Sequence, residues 1–188
     1  MRSLILIKHA KPQVTENLPS DEWPLSVEGQ AACGPLAEIV RPRDPAIIFT
    51  SYEPKARETG ELIGAALDKP VQTHAGLEEH DRSNVPLMQT REFISTMALF
   101  FKDRRRLVLG RETAEQAGER IEQAIREILG KQTEGNVAVV THGTVLALFA
   151  AAHGAGDGFQ LWRRMGLPSL MVFSIPEFKA LESVDRIG

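Results

Sequence analysis

The sequence predicts an α/β fold, a three-layer sandwich with a mostly parallel central sheet and helices on both faces. Short apolar runs alternate with amphipathic segments along the 188 residues, as strands alternate with helices in such folds. Two of these runs, residues 4–7 and 137–140, are wholly apolar and predict buried strands. Each is followed within two residues by a histidine, His9 and His142, and then by a small residue. Because ligands of open α/β sheets bind where strands end, we expect the two histidines to meet in one crevice.

The first half of the chain is predicted to alternate strands and helices. Ser26 is a suitable N-cap, with Glu28 in the first turn of the helix that follows. Pro54 suits the first turn of the next helix. The predicted elements, in order, are a strand at 3–8, a proline-rich loop at 10–25, a helix from Ser26 to about Val40, a connector at 41–45, a strand at 46–50, a helix from residue 54 to about residue 67 and a short edge strand at 70–73.

The second half contains the clearest helix of the chain, at 112–129. Its apolar side chains recur at helical spacing, at Ala117, Ile121, Ile125 and Ile128. Alternate glycines between residues 154 and 158 predict a flexible turn, because they follow a helix rather than a strand. The predicted elements, in order, are a loop at 76–86, a helix at 87–103, the helix at 112–129, a strand at 136–141, a helix at 143–152 and a final strand at 169–175.

Composition and charge narrow the class of protein. Hydrophobic residues make up 43% of the chain and no linker divides it, so we expect one domain over residues 1–188. Residues 80–111 are the candidate for an insertion or cap over the strand ends. A net charge of −3 gives no indication of a nucleic-acid or anionic-membrane partner. One cysteine, Cys33, and no apolar stretch approaching about 20 residues favour a soluble cytoplasmic protein. The sequence leaves the oligomeric state open.

Four segments at strand ends or in loops carry side chains suited to phosphoryl transfer. A neutral imidazole is a good nucleophile near neutral pH and can attack phosphorus to form a phosphohistidine. Positioned cations stabilise the negative charge that the transferring group spreads over its oxygens. A carboxyl group must then protonate the leaving alkoxide and activate water. The four segments are residues 8–11, 50–59, 77–80 and 141–143.

These segments offer each group that the chemistry requires. Arg57 supplies a two-pronged donor and Lys8 a point charge. The helix predicted from residue 143 points its amides toward the same place. Glu78 and Glu79 are the candidate carboxyl groups, and no metal-ligand cluster or cofactor is expected. The candidate phosphate ligands are Lys8, Ser51, Arg57 and His142.

In order and over almost the whole chain, these segments resemble the motifs of the histidine phosphatase superfamily, also called phosphoglycerate mutase-like. The family's Arg-His-Gly stands here as residues 8–10, its Leu-x-Glu as residues 77–79 and its final His-Gly as residues 142–143. Its Ser-x-x-x-Arg-Ala-x-x-Thr-Ala motif is matched more loosely, by Ser51 and Arg57. Its Leu-Ser-x-x-Gly element and Gly-Glu-Ser-like helix start are matched by residues 25–31 and 110–113.

The resemblance implies a role for each matched residue. His9 would be the phosphorylated nucleophile and Glu79 the proton donor. The family's leading arginine is Lys8 here, which keeps the charge but loses the two-pronged geometry. Ala10 replaces a glycine that often lets the backbone approach a ligand. Both departures put the catalytic rate in question. The residues that would line the phosphate pocket are Lys8, Arg57 and His142.

The leading hypothesis is a metal-independent phosphomonoester hydrolase that works through a phosphohistidine on His9. Its substrate would be a phosphorylated small molecule or a phosphoprotein. One alternative is phosphoglycerate mutase-type transfer, although residues 79–83 lack the Glu-Arg-x-Tyr-Gly-like stretch of the mutases. The other is a phosphate-binding signalling module with weakened catalysis, which the departures at Lys8 and Ala10 motivate.

Overall fold

A six-stranded sheet forms the centre of the protein, with the strand order β3-β2-β4-β1-β5-β6. The computed structural model describes residues 2–16 and 18–187. Strands β1 to β4 run parallel to one another, whereas β5 pairs antiparallel with both β1 and β6. The predicted mostly parallel sheet is therefore confirmed. The strands are β1 (Ser3–Lys8), β2 (Pro45–Thr50), β3 (Val71–Thr73), β4 (Asn136–Thr141), β5 (Ser169–Ser174) and β6 (Ala180–Val184).

Helices cover both faces of the sheet, as the three-layer prediction requires. Apolar residues of α1 and α2 pack on one face, against Ile5 and Ile7 of β1. Apolar residues of the other helices pack on the opposite face, against Leu4 and Leu6. The alternation of β1 side chains between two cores explains why its sequence is continuously apolar. The helices are α1 (Val27–Val40), α2 (Pro54–Leu67), α3 (Thr90–Lys102), α4 (Ala114–Lys131), α5 (Gly143–Ala152) and α6 (Gly158–Arg164).

Capping side chains set the starts of α1 and α4. The Ser26 hydroxyl accepts a hydrogen bond from the amide of Gly29, as the sequence predicted for α1. At α4, Thr113 and Gln116 form a reciprocal capping box, so the helix begins at Ala114 rather than at residue 112. Its buried face carries the predicted apolar residues, and it continues to Lys131.

The C-terminal part of the chain differs from the prediction. The segment predicted as a flexible turn leads into α6, whose first turn is capped by the side chain of Asp157. The strand β6 was not predicted, because it is an outer strand of low burial and its sequence, Ala-Leu-Glu-Ser-Val, is neither continuously apolar nor regularly alternating. Predictions that include residues 1, 17 and 188 extend outside the described residues at those positions. No helix in residues 2–16 and 18–187 is long and apolar enough to cross a membrane.

Candidate active site

Three neighbouring parallel strands, β2, β4 and β1, end at the same edge of the sheet, and a polar residue follows each. His9 follows β1, Ser51 follows β2 and His142 follows β4. The His9 amide donates to the carbonyl of Thr141 over 3.0 Å, and the Ser51 amide donates to the carbonyl of Val140 over 3.1 Å. These bonds extend the pairing beyond the strands, so β4 positions both loops. The rings of His9 and His142 lie edge to face, with centroids 5.1 Å apart.

His9 is oriented by its own loop. Its Nδ1 atom lies 2.7 Å from the carbonyl oxygen of Ala10, which can only accept, so Nδ1 carries the proton and Nε2 has a free lone pair. The Ala10 amide in turn donates to the hydroxyl of Thr59 on α2 over 3.1 Å. Burial, together with the adjacent His142, holds the pKa of His9 well below its usual range. The imidazole is therefore neutral near pH 7, which is the nucleophilic form.

His142 is the N-cap residue of α5 and is fully buried. Its Nε2 atom lies 2.9 Å from the hydroxyl of Ser51 and 3.3 Å from Oε1 of Glu53. Burial lowers the pKa of His142 to about 3, although Glu79 opposes the shift. Because a carboxylate only accepts, the neutral ring is best satisfied with its proton on Nε2. His142 then presents a hydrogen-bond donor on the side of Ser51 and Glu53.

The Glu79 carboxylate lies at the amino terminus of α5. Its Oε1 accepts from the His80 amide over 2.8 Å, and its Oε2 accepts from the Thr144 amide over 3.1 Å. The guanidinium of Arg82 is 3.7 Å from Oε2. Burial alone would raise the pKa of Glu79, but Arg82, His142 and the two amides outweigh it and lower the pKa. The carboxylate is therefore ionised in the unliganded site.

Arg120 on α4 fixes the backbone that carries Glu79. Its guanidinium donates to the carbonyls of Gly76, Glu78 and Glu79 over 3.0, 2.9 and 3.1 Å, and it pairs with Glu112. The Glu78 carboxylate turns back to accept from the Gly76 amide over 2.7 Å. Sequence reasoning did not find Arg120, because a helix arginine carries no local signal of a loop more than 40 residues away.

Lys8 lies beneath the start of α5. Its Nζ donates to the carbonyl of Met165 over 3.0 Å. A Cβ atom added at Gly143 would lie 3.0 Å from Cε of Lys8, so the glycine leaves room for the lysine side chain. Burial lowers the pKa of Lys8 to about 8, partly offset by the negative charge of Glu79. The structure thus places this charge beside the crevice, engaged with a backbone carbonyl.

Arg57 does not reach this cluster, and its predicted place in the pocket is corrected. It is exposed on α2, with Nε 3.6 Å from Oε1 of Glu61 one turn further along. Lys55 lies on the pocket side instead, because two residues along a helix correspond to about 200° of rotation. Lys55 is buried, donates to the carbonyl of Ser20 over 2.6 Å and forms an ion pair with Glu53.

Glu53 is a second buried carboxylate of the site, and the sequence analysis did not assign it. Besides its contacts with Lys55 and His142, its Oε1 accepts from the Glu79 amide over 2.7 Å. Burial raises the pKa of Glu53, and the neighbouring Lys55 opposes that shift. Glu53 thus links the loops after β2, β3 and β4 in one network.

His9 lines a pocket of about 840 Å³ together with Glu53, Lys55, Glu79 and Arg120, whereas Ser51 and His142 are buried behind its wall. Carboxylates outnumber the cations on its walls. The walls of the pocket therefore repel anionic groups that contact none of these cations. No group of three or more His, Cys, Asp and Glu within residues 2–16 and 18–187 is arranged to hold a metal ion. The lining carboxylates are Asp21, Glu22, Glu53, Glu78, Glu79, Asp81 and Glu112, and the lining cations are Lys55, Arg82 and Arg120.

The family model of the histidine phosphatase superfamily (branch 1) matches residues 4–180, and the matched range includes every site residue described above. The chain belongs to the histidine phosphatase superfamily.

Solved structures agree with the superfamily fold over nearly the whole chain. A mycobacterial glucosyl-3-phosphoglycerate phosphatase superposes with a TM-score of 0.80 at 16% identity, over 100% of both chains. YhfR of Bacillus stearothermophilus superposes with a TM-score of 0.77 at 20% identity, over 98% of this chain and 96% of the other. For the α-ribazole phosphatase of Shigella flexneri, the TM-score is 0.72 at 19% identity, again over 98% and 96%. No curated protein sequence matches the chain significantly.

The superfamily motif Ser-x-x-x-Arg-Ala-x-x-Thr fits this chain better with Lys55 at the arginine position than with Arg57. Ser51, Ala56 and Thr59 then stand at the spacing that the motif requires. The spacing of the motif therefore identifies Lys55 in the sequence, although the motif has an arginine at this position. Both motif arginines of the superfamily, the one before the nucleophilic histidine and the one on α2, are lysines here.

The superfamily's Leu-Ser-x-x-Gly element supports the loop that carries His9. The amide and the hydroxyl of Ser26 both donate to the carbonyl of Lys11, each over 3.0 Å. A Cβ atom at Gly29 would lie only 2.1 Å from that carbonyl oxygen. A glycine is therefore required at this position for α1 to approach the loop.

Proposed function

We propose that the protein hydrolyses phosphomonoesters through a phosphohistidine on His9 and needs no metal ion. The observation that carries this proposal is the neutral His9, whose Nδ1 is engaged by the Ala10 carbonyl and whose Nε2 is left free for attack. Beside it lie the His142 ring and the amino terminus of α5, where anionic groups are stabilised. Superfamily membership supports the same assignment.

The reaction follows from these groups in two displacements. Nε2 of His9 forms a bond to phosphorus while the bond between phosphorus and the ester oxygen breaks, and a carboxyl group protonates the departing alkoxide. In the second step the same group, now a carboxylate, takes a proton from water as the water oxygen bonds to phosphorus and the bond between phosphorus and Nε2 of His9 breaks. Inorganic phosphate leaves, and His9 returns to its neutral form.

Glu79 is proposed as this acid and base, as the resemblance implies. It is ionised in the free site, but a phosphate dianion placed at the start of α5 raises the proton affinity of a nearby carboxylate. A phosphoryl oxygen can replace Oε2 as the acceptor of the Thr144 amide, which leaves the protonated Glu79 carboxyl free to donate to the ester oxygen. Glu78 is less suited, because its carboxylate is engaged with the Gly76 amide of its own loop.

We propose that Lys55, His142, Ser51 and Lys8 hold the transferring group. Lys55 and His142 both contact Glu53, so a phosphate must displace that carboxylate to reach them. Lysines supply charge without the two-pronged geometry of arginine, which predicts weaker orientation of the phosphoryl group. We therefore expect a modest catalytic rate.

The substrate is proposed to be a small phosphorylated molecule, with a phosphoprotein as the alternative. Two of the structurally similar proteins are named as a glucosyl-3-phosphoglycerate phosphatase and an α-ribazole phosphatase, and both names refer to small molecules. The net charge of −3 supports neither a nucleic-acid nor an anionic-membrane partner. The free, buried Cys33 suits a reducing compartment, so a cytoplasmic location is proposed.

Turnover of a generic aryl phosphate tests the proposal. The His9→Ala variant should lose at least about 1,000-fold in kcat/KM, since it removes the nucleophile. His153→Gln is a matched control, because His153 is paired with Glu122 and does not line the pocket. Turnover that survives in His9→Ala would overturn the mechanism. Incubation with either monophosphoglycerate separates hydrolysis, which releases inorganic phosphate, from mutase-type transfer, which interconverts the two isomers.

A phosphate-binding module with weakened catalysis is the second candidate. The two lysines at motif arginine positions and the Glu53 carboxylate against His142 favour it. Micromolar binding of phosphate without measurable turnover would establish this alternative. Gain of turnover in the Lys8→Arg, Lys55→Arg double variant would show that the cation geometry was the defect.

A further inference from the structure

A second cavity, of about 490 Å³, adjoins the catalytic pocket. The two share four lining residues, so they form one continuous cleft. Both volumes lie in the range that accommodates small-molecule ligands. The shared residues are Ser20, Trp23, Arg82 and Ser83. We call the second cavity the apolar groove, because most of its other walls are Val14, Leu18, Val85, Leu87, Met88 and Phe93.

The apolar groove exposes side chains that ordinarily avoid water. Val14 is 54% exposed, Leu18 41% and Leu87 81%, and they come from two segments far apart in sequence that meet at the cleft. A cluster of this kind beside a polar pocket is typical of a binding surface. Apolar ligand atoms that cover it would be stabilised by the removal of this surface from water.

Hydrogen bonds from Trp23 hold one wall of the groove. The Trp23 indole N–H donates to the carbonyls of Thr15 and Leu18, over 3.1 and 3.0 Å. The indole therefore fixes the segment that carries the apolar wall, and it leaves its ring, rather than a donor, facing the cleft.

Arg82 stands at the junction of the groove with the catalytic pocket, and its charge is already engaged. Its guanidinium lies over the ring of Phe93, with the carbon 5.2 Å from the ring centroid, and Nη2 is 3.7 Å from the Glu79 carboxylate. Among the described residues that line the groove, the other charged side chain is that of Glu16, which is acidic. An anionic leaving group would therefore meet no free cation among these lining residues, and it would pass the acidic walls of the catalytic pocket.

We propose that the apolar groove binds the leaving group of the substrate, and that the substrate is the phosphate ester of an apolar alcohol rather than a phosphorylated acid or sugar. This inference rests on the proposed function. With the phosphoryl group between His9 and His142, the apolar portion extends past Arg82 and covers Leu18 and Phe93.

A series of n-alkyl phosphates tests the inference, with ethyl, butyl, hexyl and octyl esters below their micellar concentrations. We expect kcat/KM to rise about two- to fourfold for each added methylene group until the groove is filled. The kcat/KM for 3-phosphoglycerate should fall below that for hexyl phosphate by about 100-fold. A flat series, or a preference for 3-phosphoglycerate, would overturn the inference.

A matched pair of variants tests whether the apolar groove causes the dependence of kcat/KM on the length of the alkyl chain. Leu18 and Leu62 are both 41% exposed, but Leu62 lies on α2 and does not line the groove. Leu18→Asp should lower kcat/KM for octyl phosphate about tenfold or more and leave ethyl phosphate within twofold, whereas Leu62→Asp should change neither. An equal loss for both esters in Leu18→Asp would contradict a groove for the leaving group.

Calorimetric binding of octylphosphonate and ethylphosphonate separates this inference from the proposed function. Tighter binding of octylphosphonate that Leu18→Asp abolishes supports the groove even if no ester is hydrolysed. Equal binding of the two phosphonates, with ester turnover intact, overturns the groove and leaves the hydrolase proposal standing.

Discussion

The Glu53 carboxylate lies 3.3 Å from Nε2 of His142 and accepts a hydrogen bond from the amide of Glu79. Lys55 pairs with the same carboxylate. An internal carboxylate therefore occupies the donors and the cation that we propose as phosphate ligands.

Replacement of Glu53 by Gln should tighten the binding of inorganic phosphate by about tenfold or more. A unit charge within about 4 Å costs a bound anion on the order of 1–4 kcal/mol at the effective dielectric of a partly solvated site. Glutamine keeps an oxygen that can accept from the Glu79 amide. Isothermal calorimetry measures the change, with Glu22→Gln on the pocket wall as the control. Unchanged or weaker phosphate binding in Glu53→Gln would contradict this account of the carboxylate.

Lys55 and Arg57 should differ sharply in their importance to turnover. Lys55→Met removes a positioned cation and should lower kcat/KM about 100-fold. Arg57→Met removes an exposed side chain and should leave kcat/KM within twofold. Steady-state kinetics checks both, and a melting curve for Lys55→Met confirms folding, because that change leaves Glu53 buried without its partner. A larger loss in Arg57→Met than in Lys55→Met would restore Arg57 to the site.

The rate should decline as the pH rises through about 8. The pKa of Lys8 is lowered to about 8, so this lysine is charged below that pH and neutral above it. The ammonium group of Lys8 lies beside Gly143 at the start of α5. Loss of its charge therefore weakens the electrostatic stabilisation of a phosphate bound in the crevice. Profiles of kcat/KM between pH 6 and 10 measure the effect. Lys8→Arg should remove the alkaline decline, whereas Lys11→Arg, which alters an exposed lysine, should not. The same decline in all three proteins would assign it to another group.

Acid should destabilise the fold through His142. Its pKa is about 3 in the folded protein and about 6.5 when unfolded, so the unfolded state binds the additional proton between these values. Stability therefore falls as the pH drops from about 6.5 toward 3, by up to a few kcal/mol. Urea unfolding at several pH values measures this slope. His142→Gln should flatten it and His153→Gln should not, and equal slopes in His142→Gln and the parent would refute the assignment.

Arg120 should act on kcat through the loop that it holds. Arg120→Lys keeps the charge but cannot bond three carbonyls at once, so kcat should fall about tenfold with little change in KM. Arg126→Lys on the same helix is the control, because Arg126 pairs with Glu122 and lies outside the pocket. A change in KM alone, or none in kcat, would mean that the loop does not position the acid.

The sequence predicted the sheet and its helices well because the signals are local. Buried runs such as residues 4–7 are apolar on both faces of the strand, and caps such as Ser26 lie next to the helices that they begin. The helix α6 was missed because its glycines suggested a turn, although Asp157 caps it. The outer strand β6 lacks the burial that gives a strand an apolar pattern.

The site was predicted less completely, because its geometry depends on contacts between distant segments. His9 and His142 were expected to meet because each follows a buried strand. The neighbouring positions of β1 and β4 in the sheet bring them together. The choice between Lys55 and Arg57 required helical phase, since residue type favoured the arginine that faces solvent. Glu53 and Arg120 act through three-dimensional contacts for which their own sequence neighbourhoods carry no signal.

Trapping of the covalent intermediate is the most direct test of the central claim. The protein is mixed with an aryl phosphate, quenched under alkaline conditions within the first turnover, digested and analysed by mass spectrometry. We predict a phosphoryl group on the peptide that contains His9, absent from His9→Ala and retained in His153→Gln. Steady turnover with no phosphoryl group on His9, or with one on another residue, would contradict the account.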